Sequence, residues 1–199
     1  MKHVVVVYII DVSKSMEGSP IVAVNNALTE TIQSLSDMKN AMDLDIQVAV
    51  MSFALNAKWE LKRCSVDDAG GIRLRTRAGG TFYSSALKLL NLSLVDDDLM
   101  KFQGKRAAPI IVFMTDGESE EDRAFLQRHL NELQGNPWFA CASRKAVLVG
   151  DVAFNKDVSN SICDFVVHSS DIITSSDLGN ALGEMNIQTI HAVQNASTI

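Results

Sequence analysis

The chain begins with an unbroken apolar run, Val4 to Ile10, which ends at Asp11. A run of β-branched residues without polar alternation is typical of a strand that is covered on both faces of its sheet. Beyond it, apolar residues recur at helical spacing from Ile21 to Leu35, directly after Pro20. Because proline is favoured at the first position of a helix, this pattern predicts a helix over 20–38.

The rest of the chain continues to alternate between apolar strands and amphipathic helices. Strands are predicted over 45–54, 59–62, 109–115, 144–149 and 164–167, and helices over 83–95, 119–133, 158–163 and 177–190. The short strand at 59–62 is expected to pair with the strand before it as a hairpin. This alternation predicts a doubly wound α/β fold with a mostly parallel sheet of about six strands, one of them a short antiparallel edge strand, flanked by helices on both faces.

Length and composition predict a single domain over residues 1–199 and narrow the range of partners. The 199 residues are 47% hydrophobic and carry a formal net charge of −6, from 18 basic and 24 acidic residues. An acidic protein has no general attraction for nucleic acid or anionic lipid, so neither is expected as a partner. The first apolar run is too short for a signal peptide, and no segment has the roughly 20 apolar residues that membrane insertion needs.

The three cysteines, Cys64, Cys141 and Cys163, form no close pair. An odd number of widely spaced cysteines argues against a disulfide framework or a zinc knuckle. Inert thiols in a reducing cytoplasm are the simplest interpretation, and a cytoplasmic location is therefore expected. The four histidines are scattered along the chain and predict no zinc site.

Two segments of the chain are rich in charge. The first has no assigned structure, and the second is expected to be helical. Arg73, Arg75 and Arg77 alternate with uncharged residues, and a solvated strand face is preferred for them over a basic rim that attracts an acidic partner. Glu120, Glu121 and Asp122 are expected in the first turn of the helix at 119–133, where the helix dipole favours negative charge.

Oxygen-bearing side chains follow two of the buried strands. Asp11, Ser13 and Ser15 lie at alternate positions after the first strand; Thr81 follows Gly79-Gly80 before a predicted helix; and Asp116 follows the strand at 109–115. Each residue alone is an ordinary turn or cap residue. Parallel sheets bind ligands at the carboxyl ends of strands where the strand order reverses, and hard oxygen ligands suit Mg²⁺. Asp11, Ser13 and Ser15 can therefore converge on one small divalent cation, and Asp116 is expected at the same edge of the sheet.

This arrangement resembles the metal-ion-dependent adhesion site of von Willebrand factor A (VWA) domains. The resemblance implies a Rossmann-like VWA fold and a complete site for Mg²⁺ or Mn²⁺, with Ca²⁺ as a further option, at Asp11, Ser13, Ser15, Thr81 and Asp116. It also implies that the hydroxyls bind the metal directly, whereas the two carboxylates act largely through water or hydrogen bonds. A cation with so few anionic ligands would accept an Asp or Glu carboxylate from a partner protein.

Further segments resemble bacterial VWA proteins associated with tellurium resistance, the TerY type. They are 20–28, Thr115-Asp116-Gly117-Glu118 and Ala140-Cys141-Ala142, whereas 62–78 and 142–155 depart from the pattern. The resemblance covers most of the chain and implies a bacterial stress-response setting with kinase, phosphatase or other stress-response proteins as partners.

Two other functions stay open beside that of a protein-binding module without enzymatic activity. A Mg²⁺-dependent phosphohydrolase of the haloacid-dehalogenase type also places Asp after a first buried strand, but it needs a second Asp where this chain has Ser13. A nucleotide-binding regulator is suggested by the fold alone. No Gly-x-Gly-x-x-Gly or Walker A sequence follows a strand to support that function.

Overall fold

The computed structural model describes residues 2–42, 44–95, 99–117, 119–149 and 165–167. Its strands are β1 (Lys2–Asp11), β2 (Leu44–Phe53), β3 (Ala57–Ser65), β4 (Ile110–Thr115), β5 (Ser143–Leu148) and β6 (Phe165–Val167). They form one sheet in the order β3-β2-β1-β4-β5-β6. Only β3 is antiparallel to its neighbour among these strands. The predicted α/β sheet with an antiparallel edge strand is therefore confirmed.

The described helices are α1 (Ser19–Met42), α2 (Tyr83–Val95), α3 (Arg123–Gln134) and α4 (Pro137–Cys141). The bounds of α2 agree with the prediction, whereas α1 continues four residues beyond it and α4 was not predicted. Helix α4 begins after Asn136, whose side chain accepts a hydrogen bond from the Trp138 amide at 3.0 Å. The helices predicted at 158–163 and 177–190 lie outside the described residues.

Helices cover both faces of the sheet, as the apolar run in β1 predicts. The even-numbered residues of Val4–Ile10 pack with Val24 and Leu28 of α1, and the odd-numbered residues pack with Leu87 of α2 and Leu130 of α3. Every residue of the run is at most 1% exposed. Because its two faces pack in different clusters, this strand lies at the centre of two cores. Full burial of one such side chain stabilises a fold by about 1.5–3 kcal/mol.

The edge strand and the acidic helix differ from the predictions. Strand β3 spans nine residues rather than four. Helix α3 begins only at Arg123, so the expectation that Glu120 and Glu121 lie in its first turn is wrong. The Asp122 carboxylate is instead the cap of α3, and it accepts hydrogen bonds from the amides of Ala124 and Phe125 at 3.0 and 3.1 Å.

The strand order reverses between β1 and β4, which are direct neighbours with Ile10 beside Met114. We call the side of the sheet where β1, β2 and β4 end the carboxyl edge. Asp11 ends β1 and Asp116 directly follows β4, so both carboxylates lie there. None of the described helices combines the length and the hydropathy that are needed to cross a bilayer.

Candidate metal centre

Four of the five predicted ligand side chains form one continuous chain of hydrogen bonds at the carboxyl edge. The Thr81 hydroxyl donates to Ser13 Oγ at 3.1 Å. The Oγ atoms of Ser13 and Ser15 are 2.9 Å apart, and Ser15 Oγ donates to Asp116 Oδ1 at 2.9 Å. Neighbouring oxygens of an octahedral Mg²⁺ shell, with bonds of about 2.1 Å, lie about 3 Å apart. The spacing of these oxygens therefore fits one small cation.

The fifth residue, Asp11, supports the loop that carries the serines. Its side chain is fully buried. Its Oδ1 accepts a hydrogen bond from the Ser13 amide at 2.8 Å, and its Oδ2 accepts one from the Thr115 hydroxyl at 2.7 Å. Both carboxylate oxygens thus orient neighbouring groups of the site, which is the role of a residue behind the metal ligands.

Burial raises the pKa of the Asp11 carboxyl, and the nearby charge of Asp116 raises it further, against the lowering effect of hydrogen bonds from Ser13 and Thr115. Burial also raises the pKa of Asp116, against the hydrogen bond from Ser15. Ionisation of either carboxyl therefore costs more free energy in the metal-free site than it does in water. A divalent cation between hard oxygen donors would reverse both shifts, so the donor chemistry fits such an ion.

The Thr81 hydroxyl is directed to the site rather than to the backbone of α2. It donates to Ser13, whereas the amide of Ser84 in the first turn of α2 donates to the Glu121 carboxylate at 2.9 Å. The Ser84 hydroxyl also donates to that carboxylate. Glu121 thus places negative charge at the start of α2, where the helix dipole favours it.

Ser119 and Glu120 hold the loop after Asp116 to the segment that carries Thr81, and Glu121 orients Ser119. Ser119 Oγ donates to Glu121 Oε2 at 2.8 Å and to the Thr81 carbonyl at 3.2 Å. The Glu120 amide donates to the same carbonyl at 2.9 Å. The two loops that supply Thr81 and Asp116 are therefore held together by direct hydrogen bonds.

Glycines allow the close approach of these loops. Gly79 has φ of +120°, a conformation that disfavours any side chain. A Cβ atom at Gly80 would overlap the carboxylate of Glu120. The backbone before Thr81 therefore favours glycine at position 79, whereas a side chain at position 80 would displace the Glu120 carboxylate.

Arg77 belongs to the supporting network, a role that the sequence pattern does not predict. Its amide donates to the Val12 carbonyl at 2.7 Å, and the Val12 amide donates to the Phe53 carbonyl at 2.8 Å. Its guanidinium donates to Ser52 Oγ at 2.9 Å, and Ser52 Oγ donates to Glu60 at 2.6 Å. Val12, between Asp11 and Ser13, is therefore held by hydrogen bonds at both its amide and its carbonyl.

The preferred interpretation of the arginine segment as a solvated strand face is wrong in two respects. Residues 72–77 form no strand, and Arg77 is half-buried, whereas Arg73 and Arg75 are exposed. Leu74 between them is buried and exchanges two hydrogen bonds with the Asn25 side chain, at 2.8 and 2.9 Å. These long-range contacts have no signal in the local sequence.

Thr115 and Tyr83 also support the site, and the sequence analysis does not identify either residue. Thr115 Oγ1 lies between Asp11 and the buried Tyr83 hydroxyl, which donates to it at 3.4 Å and also to the Gly117 carbonyl. A polar residue at the end of the otherwise apolar strand β4 was the available signal for Thr115. Nothing in the helical pattern of α2 marks Tyr83, because its ring packs in the core against Phe53 and Phe113.

No other metal cluster competes with this site in the part of the chain that the structure describes. Groups of three or more His, Cys, Asp or Glu side chains that could hold a metal do not occur among these residues. Cys64 and Cys141 are half-buried free thiols whose pKa is raised by burial. Cys163 lies outside the described residues.

The chain matches the von Willebrand factor type A domain family over residues 6–118. This match covers more than half of the chain and includes all five candidate ligands. The chain therefore belongs to the von Willebrand factor type A domain family, whose members typically mediate protein–protein interactions. A search of curated proteins found no match.

Several solved structures share the fold. The PilB minor pilin from Streptococcus sanguinis aligns with a TM-score of 0.70 and 11% identity, over 96% of this chain and 62% of the pilin. The pilus adhesin SpaC from Lactobacillus rhamnosus GG aligns with a TM-score of 0.67 and 12% identity, over 97% of this chain and 31% of the adhesin. The SpRpn10 VWA domain aligns with a TM-score of 0.60 and 14% identity, over 89% of this chain and 94% of the SpRpn10 domain. At these identities the likeness shows the fold alone, and the chain spans less than two thirds of both pilus proteins.

Proposed function

We propose that this VWA domain binds a partner protein through a divalent cation at the carboxyl edge. Asp11, Ser13, Ser15, Thr81 and Asp116 would hold Mg²⁺ or Mn²⁺, with Ca²⁺ as a further option. The observation that carries this proposal is the unbroken chain of hydroxyls from Thr81 through Ser13 and Ser15 to Asp116, with spacings of 2.9–3.1 Å. Such spacing is that of neighbouring ligands in one coordination shell.

The ligand set also indicates the chemistry of the partner. Ser13, Ser15 and Thr81 offer neutral oxygens, and the Asp11 carboxylate is already engaged by Ser13 and Thr115. When bound, the cation would supply a positive charge that these neutral ligands leave largely uncompensated. An Asp or Glu side chain of the partner is the ligand that best completes such a site.

A phosphohydrolase is disfavoured by the position of Asp11. Its side chain is fully buried, and both carboxylate oxygens accept hydrogen bonds, so neither is presented as a nucleophile. Ser13 also occupies the place where that class of enzyme needs its second acid. We therefore propose a binding role without catalysis.

The setting is proposed from the sequence resemblance. The TerY-type segments favour a bacterial stress-response system of the tellurium-resistance kind, in the cytoplasm, with kinase, phosphatase or other stress-response proteins as partners. The net charge of −6 favours protein partners over nucleic acid.

Isothermal titration of Mg²⁺ and Mn²⁺ into the wild type and two variants tests the metal site. Asp116→Asn removes charge from the site, whereas Asp122→Asn removes the same charge from the nearby cap of α3 and leaves a residue that caps equally well. We expect one binding event in the wild type and in Asp122→Asn, and none at the same concentrations in Asp116→Asn. Equal binding by all three proteins would refute the site.

A further inference from the structure

His3 joins the start of the sheet to the stretch of chain between α2 and β4. It is the second residue of β1 and pairs in register with Asp45 of β2, at the side of the sheet opposite the carboxyl edge. We call residues 99–107, which follow α2 and precede β4, the connecting segment. The His3 amide donates to the Lys105 carbonyl at 3.0 Å, and the His3 carbonyl accepts from the Ala107 amide at 2.9 Å. The backbone of His3 is therefore bonded to the connecting segment on both sides.

Both ring nitrogens of His3 face hydrogen-bond acceptors. Nδ1 lies 2.6 Å from Asp45 Oδ2, and Nε2 lies 3.0 Å from the Gln103 carbonyl oxygen. The other oxygen of Asp45 accepts a hydrogen bond from the Gln47 side chain at 2.7 Å. A carbonyl and an ionised carboxylate can only accept. Both contacts of the ring can therefore be hydrogen bonds only in the imidazolium form, in which each nitrogen carries a proton.

Neighbouring side chains hold the ring in this orientation. The Phe102 ring stacks on the His3 ring, with 4.5 Å between the centroids and 19° between the planes. The Arg63 guanidinium lies 4.3 Å from the Phe102 centroid and donates to two carbonyls of the connecting segment. Gly104 has φ of +112°, and a Cβ atom there would lie 3.7 Å from His3 Nε2. The turn at 102–104 thus folds closely around the imidazole.

The charged groups around His3 carry both signs, and one of them bonds the ring. Among the described residues, the ionisable side chains at this side of the sheet on the elements that meet His3 are Lys2 of β1, Asp45 of β2, Lys62 and Arg63 of β3, and Lys101, Lys105 and Arg106 of the connecting segment. Asp45 bonds the imidazole, whereas Arg63 lies over Phe102 and Arg106 lies over Trp138. The carboxylate favours a charged imidazole, and the basic side chains oppose it.

We propose that His3 is a pH-sensitive clamp on the connecting segment. In the protonated form, Nδ1–H donates to Asp45 and Nε2–H donates to the Gln103 carbonyl. On deprotonation one proton leaves for solvent water, and the remaining proton stays on Nδ1, because a hydrogen bond to a charged acceptor is the stronger of the two. The lone pair of Nε2 then faces the lone pairs of the Gln103 carbonyl, and the turn at 102–104 is released. Histidine changes charge between about pH 5 and 8, so the clamp would respond within that range.

The clamp is local and does not depend on the proposed metal site. The folded protein offers the imidazolium two acceptors that the unfolded chain lacks, so the clamp adds stability where His3 is charged and loses it as the pH rises. The backbone bonds of His3 to Lys105 and Ala107 need no ring proton, so they hold the ends of the turn at either pH.

NMR of the full chain in EDTA, between about pH 5.5 and 8.5, tests the clamp. The ¹⁵N–¹H NOE of the Gln103 and Gly104 amides reports fast local motion. In the wild type it should match that of the sheet at the lower pH and fall at the higher pH, together with the titration of the His3 ring. His3→Gln should give the low value at both pH values. His129→Gln, which replaces a histidine of α3, is the matched control and should behave as the wild type.

Asp45→Asn provides a second variant with the charged acceptor removed and the shape retained. The ordered turn should then persist only at a lower pH than in the wild type. A wild-type turn that is equally ordered at both pH values would overturn the clamp, as would a pH response that His3→Gln retains or that Asp45→Asn leaves unchanged. Because metal is absent throughout, none of these outcomes bears on the proposed metal site.

Discussion

Thr115 donates a hydrogen bond to Asp11 across the boundary between β4 and β1, with 2.7 Å between Oγ1 and Oδ2. Both side chains are fully buried. The bond therefore fixes the orientation of the Asp11 carboxylate, whose other oxygen holds the Ser13 amide. The position of the serine loop depends on a residue outside the five candidate ligands.

Thr115→Val should destabilise the metal-free protein and weaken Mg²⁺ binding. Valine matches threonine in shape but leaves a buried carboxylate oxygen without its donor, which costs about 1–3 kcal/mol. Urea unfolding in EDTA and isothermal titration measure the two effects. Thr115→Ser, which keeps the hydroxyl, should retain most of the stability and most of the Mg²⁺ binding. A Ser variant as impaired as the Val variant would mean that packing rather than the hydrogen bond matters.

Glu121→Ala should loosen the start of α2 and, with it, the position of Thr81. The variant removes the acceptor for the amide and hydroxyl of Ser84, and loss of a helix cap costs about 1 kcal/mol. Thermal unfolding in EDTA measures that loss, and Mg²⁺ titration should show weaker binding as well. Glu30→Ala, an exposed position on α1, serves as the control. Equal stability of the two variants would show that Glu121 is not a functional cap.

Mg²⁺ should protect the protein against heat most strongly at neutral pH. The pKa values of Asp11 and Asp116 are raised in the folded metal-free protein, so these carboxyls take up protons at a pH above their ordinary value of 3.8. For a raised carboxyl pKa, ionisation costs folded-state stability, and the metal-free protein regains that stability as the pH falls through the folded pKa. Metal binding requires the ionised forms and is lost over the same range.

The measurement is the difference in Tm with and without Mg²⁺ from pH 7 down to pH 4. The difference should shrink as the pH falls, and in Asp116→Asn it should be close to zero throughout. A difference that persists unchanged to pH 4 would mean that these carboxylates do not hold the ion.

The sequence predicts the parts of this molecule that depend on local pattern. The apolar run Val4–Ile10 has no polar face, and it lies between two helical layers. The five candidate ligands follow strand ends or a glycine pair, which fixes them to the carboxyl edge, and the structure brings them together. Whether they bind metal, whether one domain spans 1–199, and whether the chain is of TerY type stay predictions.

Tertiary contacts decide what the sequence could not show. Glu120 and Glu121 look like first-turn residues of α3, but Glu121 bonds Ser84, which is 37 positions away, and the helix begins after it. Arg77 resembles Arg73 and Arg75 in the sequence, yet only Arg77 reaches Ser52. Periodicity reports which face of an element is buried, and it carries no information about hydrogen bonds between distant loops.

Thr81→Ala provides the most direct test of a metal-dependent binding site. The hydroxyl of Thr81 donates to Ser13 and does not cap α2, so its removal should leave the circular dichroism spectrum nearly unchanged. Thr29→Ala, which removes a hydroxyl bonded to the Asn25 carbonyl on α1, is the matched control. Titration of Mg²⁺ should give wild-type binding for Thr29→Ala and loss of binding for Thr81→Ala. Binding of Mg²⁺ at wild-type strength by a folded Thr81→Ala protein would contradict the proposed site.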